Sequence, residues 1–189
     1  ALTNSGKMND ILVSKMENKK KVKDNLISLI SKIGEKITLR RSAFVKKGKS
    51  MNFSYMHSSI KKNVGKLGVL ISLEGTKPKN EILDFGKRLS MHVASFSPLA
   101  VDKDDLDQNI LKKEQEIITE ELKNSGKDIK IVEKIAIGKL NKFISENTLL
   151  NQEWIMEPKR KVKDVLKEVA GNDKLKIKKF IRFKVGEGV

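Results

Sequence analysis

Residues 80–98, NEILDFGKRLSMHVASFSP, constrain the fold more than any other stretch of the chain. Read as a helix, they place Ile82, Phe85, Leu89, Val93 and Phe96 on one stripe at steps of three and four residues. That spacing belongs to an amphipathic helix lying on a core. At about 100° per residue, Met91 falls almost opposite the stripe and His92 on its flank. A methionine and one of the chain's two histidines are therefore expected to point away from the core. An apolar side chain on an outer face is covered either by another part of the chain or by a partner, and helical phase alone does not choose between them.

The segments before this helix alternate as strands do. In KITLRRSAFV, residues 36–45, Ile37, Leu39 and Arg41 share one face and Thr38 and Arg40 the other. Residues 46–50 read as a turn, and MNFSYMH, residues 51–57, alternates again. KLGVLISLEG, residues 66–75, is the most strand-like run, with Leu67, Val69, Ile71 and Leu73 on one face. Three strands followed by a helix predict an antiparallel α+β unit. Ahead of them, Leu26, Ile27, Leu29, Ile30 and Ile33 recur at helical spacing, and Gly34 suits the C-terminal cap.

Beyond Pro98 the pattern becomes helical. Asp102, Asp104, Asp105 and Asp107 crowd the start of one helix, where carboxylates meet the positive end of its dipole. Ser125-Gly126-Lys127 breaks it, and a second helix runs from Asp128 to about residue 145. The short break predicts an antiparallel helical hairpin, with too few apolar residues to stand as a domain. Trp154 and Ile155 are expected to anchor a turn, a helix to run from Val162 to Ala170, and a strand to span residues 174–185. That last strand exposes a repeat. EKITLRRSAFVKKG (residues 35–48) and DKLKIKKFIRFKVG (residues 173–186) share a pattern of acidic, Lys, apolar, any, apolar, basic, basic, with Gly at the same offset, and each follows an amphipathic helix.

The expected fold is therefore α+β: two similar subdomains with small antiparallel sheets packed by helices, plus an inserted antiparallel helical hairpin. The expected division is a lead-in over residues 1–22, a first subdomain over 23–79, a second over 80–101 and 147–189, and the hairpin over 102–146.

Composition narrows function. The net charge of +16 favours an acidic partner surface, RNA or a ribosome. Lysine outnumbers arginine thirty-five to five, however, and the planar arginine fork is what makes bidentate phosphate and base contacts. Aromatics are only 5% of residues, too few for a base-stacking platform. An RNA- or ribosome-binding module, resting on Lys19-Lys20-Lys21 and Lys159-Arg160-Lys161, is the alternative reading. The absence of cysteine removes disulfides, thiolate metal sites and cysteine nucleophiles. No apolar run approaches the roughly 18 residues of a membrane span, so no membrane is expected among the partners.

Catalytic motifs fail on inspection. Gly48-Lys49-Ser50 lacks the earlier glycine of a phosphate loop, because Ala43 stands there. Asp84-Phe85-Gly86 mimics a kinase triplet without its companions, and Phe85 lies on the core stripe. Gly186-Glu187-Gly188 has no following helix to complete a phosphate cradle. His57 and His92 lie on different elements without spaced ligands, so no metal and no cofactor is expected. No nucleophile–base pair suggests itself, and no covalent enzyme chemistry is expected.

A collinear series of strings remains: KIGEKITLRR, SYMH (residues 54–57), GKLGVLISLEG, MHVASFSP (residues 91–98), SGK, GKLNKFISENTLLNQEWIMEPKRKVKDVLKE and FIRFKVGEG. Together they resemble the elongation factor Ts family, from about Lys32 to Val189. The resemblance implies two α/β subdomains with a coiled-coil insertion. It implies a cytoplasmic translation factor, bacterial or organellar, that binds the GTPase elongation factor Tu and releases its GDP without itself binding nucleotide. It implies partner contacts at His92, within Met91-His92-Val93-Ala94, and at Leu67-Gly68-Val69. The family's Thr-Asp-Phe-Val-Ala motif, whose Asp and Phe reach towards the GTPase's magnesium and nucleotide, does not occur in these residues, nor does the family's small N-terminal helical domain. The expectation is a core that binds elongation factor Tu but accelerates GDP release poorly.

Overall fold

In a computed structural model of the chain, the residues described are 6–45, 48, 50–123 and 128–188. The chain divides into two units, Ala1–Gly48 and Lys49–Val189.

The first unit carries helices α1 (Met8–Val13) and α2 (Val22–Ile33). α2 stops at the expected glycine. Gly34 takes φ 79°, a left-handed value that costs glycine little, and its N–H closes on the Ile30 carbonyl at 2.8 Å. Leu26 and Ile30 are half-buried, whereas Ile27, Leu29 and Ile33 are exposed. The strand expected over residues 36–45 does not form. Alternation marks a segment able to line a sheet, but a strand is completed only by a neighbour that takes its N–H and C=O groups. Among the described residues no ladder includes this segment. Its Ser42 hydroxyl instead donates to the Gly6 carbonyl at 2.6 Å.

The second unit runs β1 (Ser50–Lys61), β2 (Val64–Gly75), α3 (Leu83–Phe96), α4 (Gln108–Lys123), α5 (Ile129–Asn147), β3 (Glu153–Trp154), β4 (Glu157–Lys161), α6 (Val162–Ala170) and β5 (Leu175–Lys184). β1, β2 and β5 make an antiparallel sheet in that order, and β3 and β4 a second, two-stranded one. The register puts Phe53 opposite Ile71 and Ile71 opposite Phe180. Leu67, Val69, Ile71 and Leu73 are all buried on one face, as their alternation predicts. The molecule is thus α+β with small antiparallel sheets. The repeat is only half expressed: its second copy follows α6 as strand β5, while its first follows α2 as irregular chain.

α3 covers the buried face. Ile82, just before it, and Phe85, Leu89 and Val93 along it join Phe53, Leu149, Trp154, Val162, Val165 and Ile177 in one core. Each such side chain contributes about 1.5–3 kcal/mol on burial. Gly86 allows the close approach, because a Cβ there would lie 2.4 Å from the Phe53 ring. Phe96 departs from the expected stripe. It is the last residue of α3 and remains 45% exposed.

α4 and α5 run antiparallel. Glu121, late in α4, pairs with Lys139, while Leu111, early in α4, packs with Ile144, late in α5. Ala100 and Leu106 complete this smaller cluster. The break expected at residues 125–127 lies outside the described residues. The first helix starts later than expected, at Gln108: Asp102 caps a separate 3-10 turn, Lys103–Asp105, so the acidic cluster precedes α4 and its first turn carries no carboxylate. The second helix forms where its spacing predicts.

Candidate docking site on α3

His92 organises this end of the molecule from within. It is fully buried, which corrects the outward direction expected from helical phase. His92 lies on the flank of the stripe, as helical phase predicts, but the segment after α5 folds back and covers that flank. The imidazole lies between two rings. Phe96, one turn on, stacks at 4.6 Å and 8°, and Trp154 at 5.5 Å and 21°. Trp154 in turn stacks on Phe85 at 5.8 Å.

Both ring nitrogens are engaged. The Ile155 backbone N–H donates to Nδ1 at 3.3 Å, so Nδ1 carries no proton. Nε2 therefore donates to Oε1 of Gln152 at 3.0 Å. Burial pushes the His92 pKa below the usual histidine value, partly offset by the bond to Gln152. The ring is a neutral structural group held in one tautomer.

The six residues implicated by the family resemblance separate by exposure. Val93, Leu67 and Val69 are buried with His92. Gly68 is half-buried and looks onto Met56, whose Cε would lie 3.4 Å from an added Cβ. Met91 is the member whose side chain is exposed, at 37%. It shares the outer face of α3 with Asp84 and Arg88, which form a 2.8 Å ion pair. Phe96, which stacks on His92, also remains partly exposed. Sequence reasoning missed Gln152. The available signal was that a buried histidine needs polar partners, but nothing local points to a glutamine 60 positions away.

The second histidine is separate. His57 accepts or donates at Nδ1 to the Tyr55 hydroxyl at 3.0 Å on the exposed end of β1. Among the described residues, no three His, Asp or Glu side chains converge as metal ligands, and no helix is long and apolar enough to cross a membrane. Phe85 of the Asp84-Phe85-Gly86 triplet faces the core, as its place on the stripe predicts.

The fold defines a class: an α+β unit in which a helix covers an antiparallel sheet, with a pair of antiparallel helices attached. Comparison with known proteins gives the family. The model of the family described as "Elongation factor TS" matches residues 1–187, which extends the resemblance upstream of Lys32. An elongation factor Ts from a Caulobacter species is 40% identical over 171 residues, covering 89% of this chain and 54% of that protein. The elongation factor Ts of Rickettsia felis is 37% identical over 93% of this chain and 58% of its own length. That of Caulobacter vibrioides is 35% identical over the whole chain and 61% of its own length. The chain belongs to the elongation factor Ts family of translation elongation factors. It spans a little over half the length of these relatives.

Proposed function

We propose that this chain binds elongation factor Tu and thereby takes part in guanine-nucleotide exchange during protein synthesis in the bacterial or organellar interior. The observation that carries the reading is the family match along residues 1–187. Exposed Met91, on an outer helical face that the core does not require, supplies the contact point. His92, Val93, Leu67 and Val69 support that face from beneath, and Gly68 lies on the opposite side of β2. The net charge of +16 suits an acidic partner, because complementary fields raise association rates.

Exchange follows from linkage. A protein that binds the nucleotide-free GTPase more tightly than the GDP-bound form weakens GDP binding by the same factor. Contacts equal in both states supply affinity alone. The residues here contain no Thr-Asp-Phe-Val-Ala sequence to reach the nucleotide, so affinity is their larger contribution. Release of a fluorescent GDP analogue from elongation factor Tu tests this. The expected result is complex formation with release only modestly faster than the spontaneous rate. Acceleration at the level of a full-length family member would contradict it.

A further inference from the structure

We infer that Gln152 is the positioning residue that fixes the α4–α5 pair against α3. It stands at a junction of four elements and is 4% exposed. Its side-chain Oε1 accepts from Nε2 of His92 in α3. Its side-chain NH2 donates to the Glu146 carbonyl in the last turn of α5 at 2.7 Å and to the Phe96 carbonyl at the end of α3 at 3.4 Å. The backbone is used as fully. Gln152 N–H donates to the Thr148 carbonyl at 3.1 Å, and its carbonyl accepts from Val162 N–H at the start of α6 at 3.0 Å.

The two carbonyls lie in the final turns of α3 and α5, where the last carbonyls of a helix lack intrahelical partners. One amide group thus ties two helix ends together and satisfies them. Fixing the amide's orientation also fixes which of its atoms faces His92. The neighbouring contacts along the seam include backbone bonds, Leu99 N–H to the Asn147 carbonyl at 2.8 Å and Leu149 N–H to the Ala100 carbonyl at 2.9 Å, and a side-chain bond from Asn151 Nδ2 to Asp102 Oδ1 at 3.0 Å. They hold the chain segments together. Gln152 is the buried side chain that bonds to both helix ends and so sets the angle between them.

The consequence for docking rests on the proposed function. A partner seated on the Met91 face meets the α4–α5 pair at the angle that Gln152 maintains. In its absence the pair samples a wider range, and the partner must order it on binding.

The native chain has no cysteine, so spin labels at Lys87→Cys on α3 and Lys134→Cys on α5 report the angle cleanly in the free protein. Gln152→Glu keeps an acceptor for His92 and removes both donors. His92→Phe keeps both donors and the ring stack. The expected result is a broadened or shifted label distance in Gln152→Glu and a near-native distance in His92→Phe. An unchanged distance in Gln152→Glu, or equal broadening in both, overturns the inference. Should Gln152→Glu fail to fold, the side-chain amide protons of Gln152 in the native protein decide the matter by NMR: slow exchange of both supports the two carbonyl bonds, and fast exchange overturns them. Titration of elongation factor Tu with Gln152→Glu is expected to show about several-fold weaker binding, and unchanged affinity would overturn the docking consequence. If the native chain does not bind at all, the proposed function fails, while the distances still decide the role of Gln152.

Discussion

Gly86 brings α3 against the Phe53 ring of β1, and its substitution separates two opposing effects. In a helix that packs on nothing, Gly→Ala stabilises by about 1 kcal/mol through propensity. Here the added methyl would meet the buried Phe53 ring at 2.4 Å, and such overpacking costs about 1–3 kcal/mol. Gly86→Ala is expected to lower the stability measured by urea unfolding, and a gain of the propensity size would mean that the ring moves aside freely. His92 gives a second residue-scale prediction. Burial holds its pKa below the unfolded value of about 6.5. The contribution is fully present above that unfolded value. As pH falls, the unfolded chain takes up the proton first, so stability is lost from about pH 6.5 down through the folded pKa. The slope is at most about 1.4 kcal/mol per pH unit. Urea midpoints across pH 5–8 should show this loss in the native chain and a flatter profile in His92→Phe; equal slopes would contradict the assignment.

α3 is the element on which packing and display divide most cleanly. Leu89→Ala opens a cavity under the sheet-facing side and should cost about 2–5 kcal/mol. Met91→Ala, two residues on and 37% exposed, should change stability by no more than about 0.5 kcal/mol while weakening partner binding. Comparable destabilisation by both would deny Met91 a role in display. This division was legible in the sequence, because a period of 3.6 reports which way a side chain leaves its helix. What lies beyond the helix was not. His92 left α3 on the flank, and its burial was decided by Gln152 and Trp154, which arrive from a segment some 60 residues later. The same limit explains residues 36–45. Their alternation was legible, but pairing is a property of two segments, and among the described residues no second segment forms a ladder with them. β2 itself was read correctly because four alternating apolar residues specify a buried face whatever pairs with it.

At the scale of the whole molecule, charge and burial make different demands on a partner. A net charge of +16 speeds encounter with an acidic surface but is screened beyond about 8–10 Å at physiological salt. An apolar contact, such as the one proposed at exposed Met91, is not weakened by salt. A polyanion such as RNA would instead be held through counterion release, with affinity falling steeply as salt rises. We propose that this chain docks on elongation factor Tu through the outer face of α3. The most direct test is a binding titration against immobilised elongation factor Tu at low and moderate salt, with native protein and Met91→Ala. The expected result is saturable binding that persists at moderate salt and is weaker for Met91→Ala. Absence of binding, or binding abolished by moderate salt and indifferent to Met91, would contradict it.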